Sequence, residues 1–155
     1  YFFDAHAFLQ HFAAMDMLLL SNSHAVIERG TSKLVVAGVP DRSAGRNGFA
    51  APDLHAALDG RPDEAPVILL DHQPMRARQA AEAGVALQLS GHTHGGMIRG
   101  MDRLLARANN GFVSGHYQVG SMQLYVNNGT ALWPGFALRL GRPAELTRIT
   151  LRQAV

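Results

Sequence analysis

A chain of 155 residues has room for one domain, and 47% hydrophobic with 17% charged residues are the proportions of a folded protein rather than a disordered one. Fourteen basic side chains, of which only Lys33 is a lysine, stand against twelve acidic ones; they are scattered and form no basic run, so no nucleic-acid partner is expected. The absence of cysteine excludes disulfides, thiolate nucleophiles and zinc–thiolate sites, leaving His, Asp, Asn and Glu to hold any metal.

Along the chain, Phe3, Ala7, Phe8, Phe12 and Met15 recur at helical spacing, which predicts a first helix from Phe3 to Met15 with Asp4 as its cap. Its opening run YFFDAHAFLQHF lacks the regions of a signal peptide, and no apolar stretch approaches the ~18 residues of a membrane span. The chain as given is therefore expected to be soluble. Because it starts at Tyr1 rather than Met, it reads as the remainder of a longer parent. Met17 to Leu20, Ala25 to Ile27 and Leu34 to Val39 read as strands joined by tight turns, followed by a surface loop from Pro40 to Asp53 and a short helix to Leu58.

Pro66 to Leu70 is a continuous apolar strand. Pro74 opens a helix that Gly84 stops, and Ala86 to Leu89 is a second buried strand, which makes a βαβ unit with parallel strands. After Ser90 a glycine-broken basic segment runs to Asn110; Phe112 to Tyr117, Gln123 to Val126, Phe136 to Leu140 and Leu146 to Leu151 then read as strands, with a turn at Asn127–Gly129.

Both strands of the βαβ unit end in histidine: LLDHQP carries His72, and LQLSGHTHGG carries His92 and His94. In parallel sheets ligand sites form beyond the carboxyl ends of neighbouring strands, and neutral imidazole is a common ligand for Zn, Mn or Fe. In an extended segment, residues two apart point the same way, so His92 and His94 are expected to face a common centre, with Gly91, Gly95 and Gly96 leaving space beside them. Asp71 is a candidate outer-shell partner for an imidazole, and so is His116 in SGHYQVG. The other histidines, His6, His11, His24 and His55, are read as exposed or hydrogen-bonded. Met97, Ile98, Met101, Leu104 and Leu105, interleaved with Arg99, Arg103 and Arg107, read as an amphipathic helix with a solvated basic face or as a lip for peripheral lipid contact. Trp133 and Phe136 are assigned to a core or lid.

The segments LLDHQP, GVALQLSGHTHGG, GFVSGHYQVGSMQLYVNNGT and LRLGRPAELTRITL together resemble the C-terminal portion of calcineurin-like metallophosphoesterases, and the upstream HFAAMDMLLLSNSHAVIERGTSKLVVAGVPD is similar to the segment after that family's GNH(D/E) motif. The subgroup it resembles is a bacterial one of membrane-associated phosphodiesterases and lipid-related pyrophosphatases. The resemblance implies a four-layer α/β/β/α sandwich, of which residues 1–155 are a single truncated domain. It also implies two divalent ions, Mn, Fe or Zn, and in-line attack of hydroxide on a phosphomonoester or phosphodiester, with a lipid-linked substrate among the candidates. Carried over, His72 and His92 bind one ion and His94 the other.

The family's DxH, GDxxD and GNH(D/E) motifs do not occur here; Asp4–His6 matches DxH in letters only, since it lies in a helical pattern. The catalytic histidine is therefore expected upstream of Tyr1, no residue of this chain is assigned to catalysis, and the isolated chain is expected to be weakly active or inactive. Bacterial inner-membrane association is an expectation for the parent alone. Two other readings use the same residues: a catalytically incomplete fold acting as a protein-interaction scaffold, and a simple metal-binding module.

Overall fold

The computed structural model describes residues 4–132 and 137–152. A first helix, α1 (Ala5–Ala14), is capped by Asp4, whose carboxylate accepts from the Ala7 N–H at 3.0 Å, as the spacing of apolar residues predicts. None of its residues is buried. Met17 to Leu20 departs from the expected strand: it has no regular structure, and Met17, Leu18 and Leu19 are exposed. The run is apolar enough for a strand but finds no pairing partner among the described residues.

Strands β1 (Ser23–Arg29) and β2 (Ser32–Gly38) form an antiparallel hairpin across Gly30 and Thr31, with Arg29 opposite Ser32. Gly30 adopts the positive φ (60°) that such a short connection requires. The 40–53 loop contains a 3-10 turn (Ala44–Asn47) and leads into α2 (Leu54–Leu58), capped by Asp53 accepting from Ala56 N–H. Strand β3 (Val67–Leu70), a 3-10 turn (Pro74–Arg76) continuing as α3 (Ala77–Glu82), and β4 (Leu87–Ser90) make the expected βαβ unit, its strands parallel with Ile68 opposite Leu87. Gly84, at φ 80°, ends the helix.

Helix α4 (Asp102–Ala108) occupies the later part of the glycine-broken segment. Strands β5 (Gly115–Val119) and β6 (Met122–Val126) follow as a second hairpin, and β6 pairs parallel to β4. The sheet therefore has six strands in the order β1-β2-β3-β4-β6-β5. Leu146–Leu151 is not the expected strand: its backbone is irregular, and Leu146, Ile149 and Leu151 are exposed. Of the expected strand Phe136 to Leu140, Phe136 lies outside the described residues, as does Trp133, and Leu140 makes one parallel bridge to Ile98.

Alternation decides what the sheet buries. One face carries Val35, Ala37, Val67, Leu69, Met122 and Leu124, which are buried in one cluster with Ala57 and Leu58 of α2 and Ala77 and Ala80 of α3, and it also carries the buried polar Gln88. The other face carries Val36, Ile68, Leu87 and Leu89, all half-exposed, with Leu70 exposed. Both faces are apolar, but among the described residues only the first is packed under helices. The parallel core strands β2, β3, β4 and β6 run in one direction, so the segments leaving β2, β3, β4 and β6 all emerge at one edge.

Candidate metal centre

Asp71 and His72 follow β3 directly, and Gly91 and His92 follow β4. The two exits are tied together by Asp71 N–H to Leu89 O (3.2 Å) and Gly91 N–H to His72 O (3.0 Å). Ser90, buried, donates from Oγ to the Asp71 carbonyl at 2.7 Å and accepts from Gln88 Nε2, so a polar chain runs from the core to the base of the His72 turn. Held in this way, the His72 and His92 rings meet edge to face with centroids 5.2 Å apart.

His94 reaches the same region by a route other than the one expected. The segment is not extended, so His92 and His94 do not alternate as in a strand: β4 stops at Ser90, His92 and His94 have φ 71° and 50°, and Thr93 between them is helical. Thr93 drives the bend. Its hydroxyl is buried, donating to the Val113 carbonyl and accepting from Gly95 N–H, which pulls the middle residue inward and turns its neighbours away.

The glycines also act differently from expectation. A Cβ on Gly95 would stand 2.3 Å from Asn128 Oδ1, and one on Gly96 would stand 2.8 Å from Asp102 Cα, and both have positive φ. They permit close packing of the loop on its neighbours rather than open space. Gly91 has neither constraint.

Partial burial, and next the charge of His72, hold His92 below the ordinary histidine range. Burial likewise pushes His94 down, against the Ala131 carbonyl that faces its ring, with Arg139 adding to the depression. Both imidazoles are thus favoured in the neutral form, which keeps a lone pair for a metal. His94 Nδ1 is buried and has no hydrogen-bond partner, an unclaimed donor or acceptor of the kind a ligand atom would satisfy. The nitrogen donors suit borderline divalent ions. They amount to a facing pair with a third imidazole beyond it; among the described residues, no three His, Asp or Glu side chains gather closely enough to hold an ion.

Asp71 is buried, and its carboxylate is engaged by Gln73 N–H at 3.3 Å and by Arg76 at 3.6 Å; burial raises its pKa despite the guanidinium. His116 stands exposed on β5 opposite Tyr125, separated from β4 by β6. His6 stacks on Phe49, and His24 shares a hydrogen bond with the Ala57 carbonyl.

Asp41 and Arg139, which the sequence does not single out, border the histidines together with Asn128 of the expected 127–129 turn. Asp41, just past the end of β2, accepts from Gln73 Nε2 (2.9 Å) and from the Ser43 backbone and hydroxyl; these bonds overcome its desolvation and keep its pKa low. Its signal was the sheet topology, which puts the end of β2 beside the end of β3. Asn128 packs on Gly95 and accepts from Ser114 Oγ, and Arg139 donates to the His94 carbonyl. A cavity of about 270 Å³ opens beside His92 and His94, lined also by Met97, Met101 and Leu105. A second cavity, of about 1260 Å³, lies between α2 and α3, away from the three histidines.

A search of protein-family models gives no match. Among curated proteins, the chain is 35% identical over 97% of its length to a transmembrane protein with metallophosphoesterase domain of Danio rerio. It is 34% identical over 97% of its length to an uncharacterized metallophosphoesterase of Helicobacter pylori, and 34% identical over 78% to another of Bacillus subtilis. The chain spans 36%, 40% and 41% of these three relatives, respectively. Among the described residues no helix is long and apolar enough to cross a membrane. With its mixed α/β sheet flanked by helices and its histidine-bearing strand ends, the chain belongs to the calcineurin-like metallophosphoesterase superfamily, whose name implies divalent metal ions and phosphoester substrates.

Proposed function

We propose that this chain carries the histidine side of a two-ion centre that hydrolyses phosphomonoesters or phosphodiesters. The observation that carries the reading is the facing His72–His92 pair at adjacent strand ends, with His94 on the same loop as His92. His72 and His92 would hold one ion and His94 the other. Bound Mn, Fe or Zn would supply Lewis-acid polarisation of the phosphoryl group and an activated water.

The chain's own residues do the rest of the work assigned here. Ser90 and the Gly91-to-His72 hydrogen bond lock the two strand exits together, and burial keeps the His92 and His94 rings neutral. Asp71 is proposed only as an outer partner, through its hydrogen bond to the backbone that follows His72; His116, exposed on β5 with β6 between it and β4, is given no part in the centre. The apolar cavity beside His92 and His94 supports a substrate with an apolar, lipid-like substituent. Carboxylate ligands and a proton-donating histidine would come from other parts of a longer protein, so this chain by itself would hydrolyse phosphoesters poorly or not at all.

The test is metal analysis of the purified chain after loading with Mn²⁺, Fe²⁺ or Zn²⁺, followed by hydrolysis of an aryl phosphodiester by the chain and by a longer parent protein. Metal retained by the wild type and lost on combining His92→Ala with His94→Ala is the expected result. A folded chain that takes up no metal sinks this reading and favours an interaction scaffold.

A further inference from the structure

Arg139 reaches the centre from a segment without regular structure. Its Nη1 donates to the His94 carbonyl at 3.2 Å and to the Pro143 carbonyl at 3.5 Å, and its Nη2 donates to the carbonyls of Asn128 (2.8 Å), Gly129 (3.2 Å) and Ala131 (2.5 Å). All five acceptors are neutral carbonyls, and among the described residues no carboxylate pairs with this guanidinium. Its Nε is buried without an acceptor. A cation placed so is not there for charge neutralisation. What the arrangement provides is geometry: a rigid planar fork holding two loops that leave the neighbouring strands β4 and β6.

The loop it holds needs holding. His94, Gly95, Gly96 and Met97 have φ of 50°, 67°, 80° and 58°, a run of four left-handed residues, two of which carry side chains. A non-glycine residue is strained in that region, and such conformations persist only where the surroundings over-determine them. The Ala131 carbonyl that faces the His94 ring is itself one of the carbonyls Arg139 grips. Arg139 therefore touches His94 from two sides, through the residue's own carbonyl and through the carbonyl opposite its ring.

We propose that Arg139 is a positioning residue of this centre, setting the direction of the His94 imidazole by fixing the His94 and Ala131 carbonyls together. The proposal rests on the reading of His94 as a ligand for its functional meaning, although the clamp itself stands on the geometry alone. Outer partners of metal-binding histidines typically change metal affinity by about 10- to 100-fold. Lysine keeps the charge but lacks the fork, so it separates geometry from electrostatics.

The experiment uses the full chain with Co²⁺ as the spectroscopic probe, comparing wild type with Arg139→Lys, Arg139→Gln, Arg139→Ala and His94→Ala. Hydrogen exchange is followed at Gly96 and Met97, whose N–H groups bond to Thr93 and His94 carbonyls, with Gln88 in β4 as the control. Arg139→Lys and Arg139→Gln are expected to weaken Co²⁺ binding about 10- to 100-fold and to speed exchange at Gly96 and Met97 while leaving Gln88 protected. Millimolar guanidinium added to Arg139→Ala should recover part of the binding, and added to Arg139→Lys should not. Wild-type affinity or wild-type exchange in Arg139→Lys overturns the proposal, and so does loss of protection at Gln88 in all variants, which would make Arg139 a general fold residue. Should the wild type bind no Co²⁺, the metal reading of the histidines fails separately, and exchange together with the His94 ring resonances decides the clamp.

Discussion

At the scale of single residues, Thr93 shapes the centre without carrying its chemistry. Its buried hydroxyl bonds the Val113 carbonyl and accepts from Gly95 N–H. Thr93→Val keeps the shape and removes both bonds, leaving a buried carbonyl unsatisfied at a cost of about 1–3 kcal/mol. Chemical denaturation should read that loss, and retained metal should fall with it, because the turn that presents His94 starts at Thr93. Titration offers a second residue-scale test. His92 and His94 are both held below the ordinary histidine value of 6.5, mainly by burial, so the folded state binds fewer protons than the unfolded one. Their contribution to stability is present above about pH 6.5 and is lost as pH falls through their lowered folded values. Denaturation midpoints of the metal-free chain should therefore drop between neutral pH and pH 5, and His92→Ala with His94→Ala should flatten that slope. A wild-type slope unchanged by the double substitution would refute the assignment.

Individual elements here are short, so their ends matter more than their interiors. Helix α2 has five residues, and Asp53 accepts at its N-terminus from Ala56 while its own N–H bonds Asn22 Oδ1 from the segment before β1. Asp53→Ala should cost ~1 kcal/mol as a lost cap, measured by thermal unfolding, whereas Asp53→Ser should largely restore it. Strand β3 gives a sharper contrast because its neighbours point to opposite faces. Leu69 is 1% exposed under α2 and α3, and Leu70 is 41% exposed on the uncovered face. Leu69→Ala should cost roughly 2–5 kcal/mol as a core truncation. Leu70→Lys should stay within about 0.5 kcal/mol of wild type as a surface change. Equal costs at the two sites would show that the second face is packed in solution.

On the scale of the whole molecule, the most consequential feature is apolar surface that the described fold leaves open. It includes the half-exposed sheet face of Val36, Ile68, Leu87 and Leu89 and the exposed Phe8, Phe12, Met15 and Leu18 around α1. Monomeric soluble proteins seldom expose contiguous patches beyond a few hundred Å². The chain should accordingly bind 8-anilinonaphthalene-1-sulfonate in its native state, with fluorescence reduced by Leu70→Lys. Dye fluorescence no higher than that of a compact control protein would contradict this account of the open face.

Much of the architecture was legible in the residues themselves. Local periodicity, capping side chains and turn glycines act through nearest neighbours, so α1, the β1–β2 hairpin, the β3–α3–β4 unit and the β5–β6 hairpin follow from chain-local physics, and the histidines could be placed at two adjacent strand ends. Pairing was not legible where it depends on distant partners. Met17–Leu20 and Leu146–Leu151 have strand-like composition but no neighbour to pair with among the described residues, because hydrogen bonds between strands are made by two segments and not by one. The conformation of GHTHGG was likewise decided in three dimensions: Thr93 found an acceptor 20 residues away, Asn128 packed on Gly95, and Arg139 gripped the His94 carbonyl from 45 residues away. Residue types and local pattern alone point to the imidazoles proposed as ligands and to the strands that carry them. Which way those side chains turn comes from the folded chain, because it depends on long-range hydrogen bonds that outweigh local backbone preference.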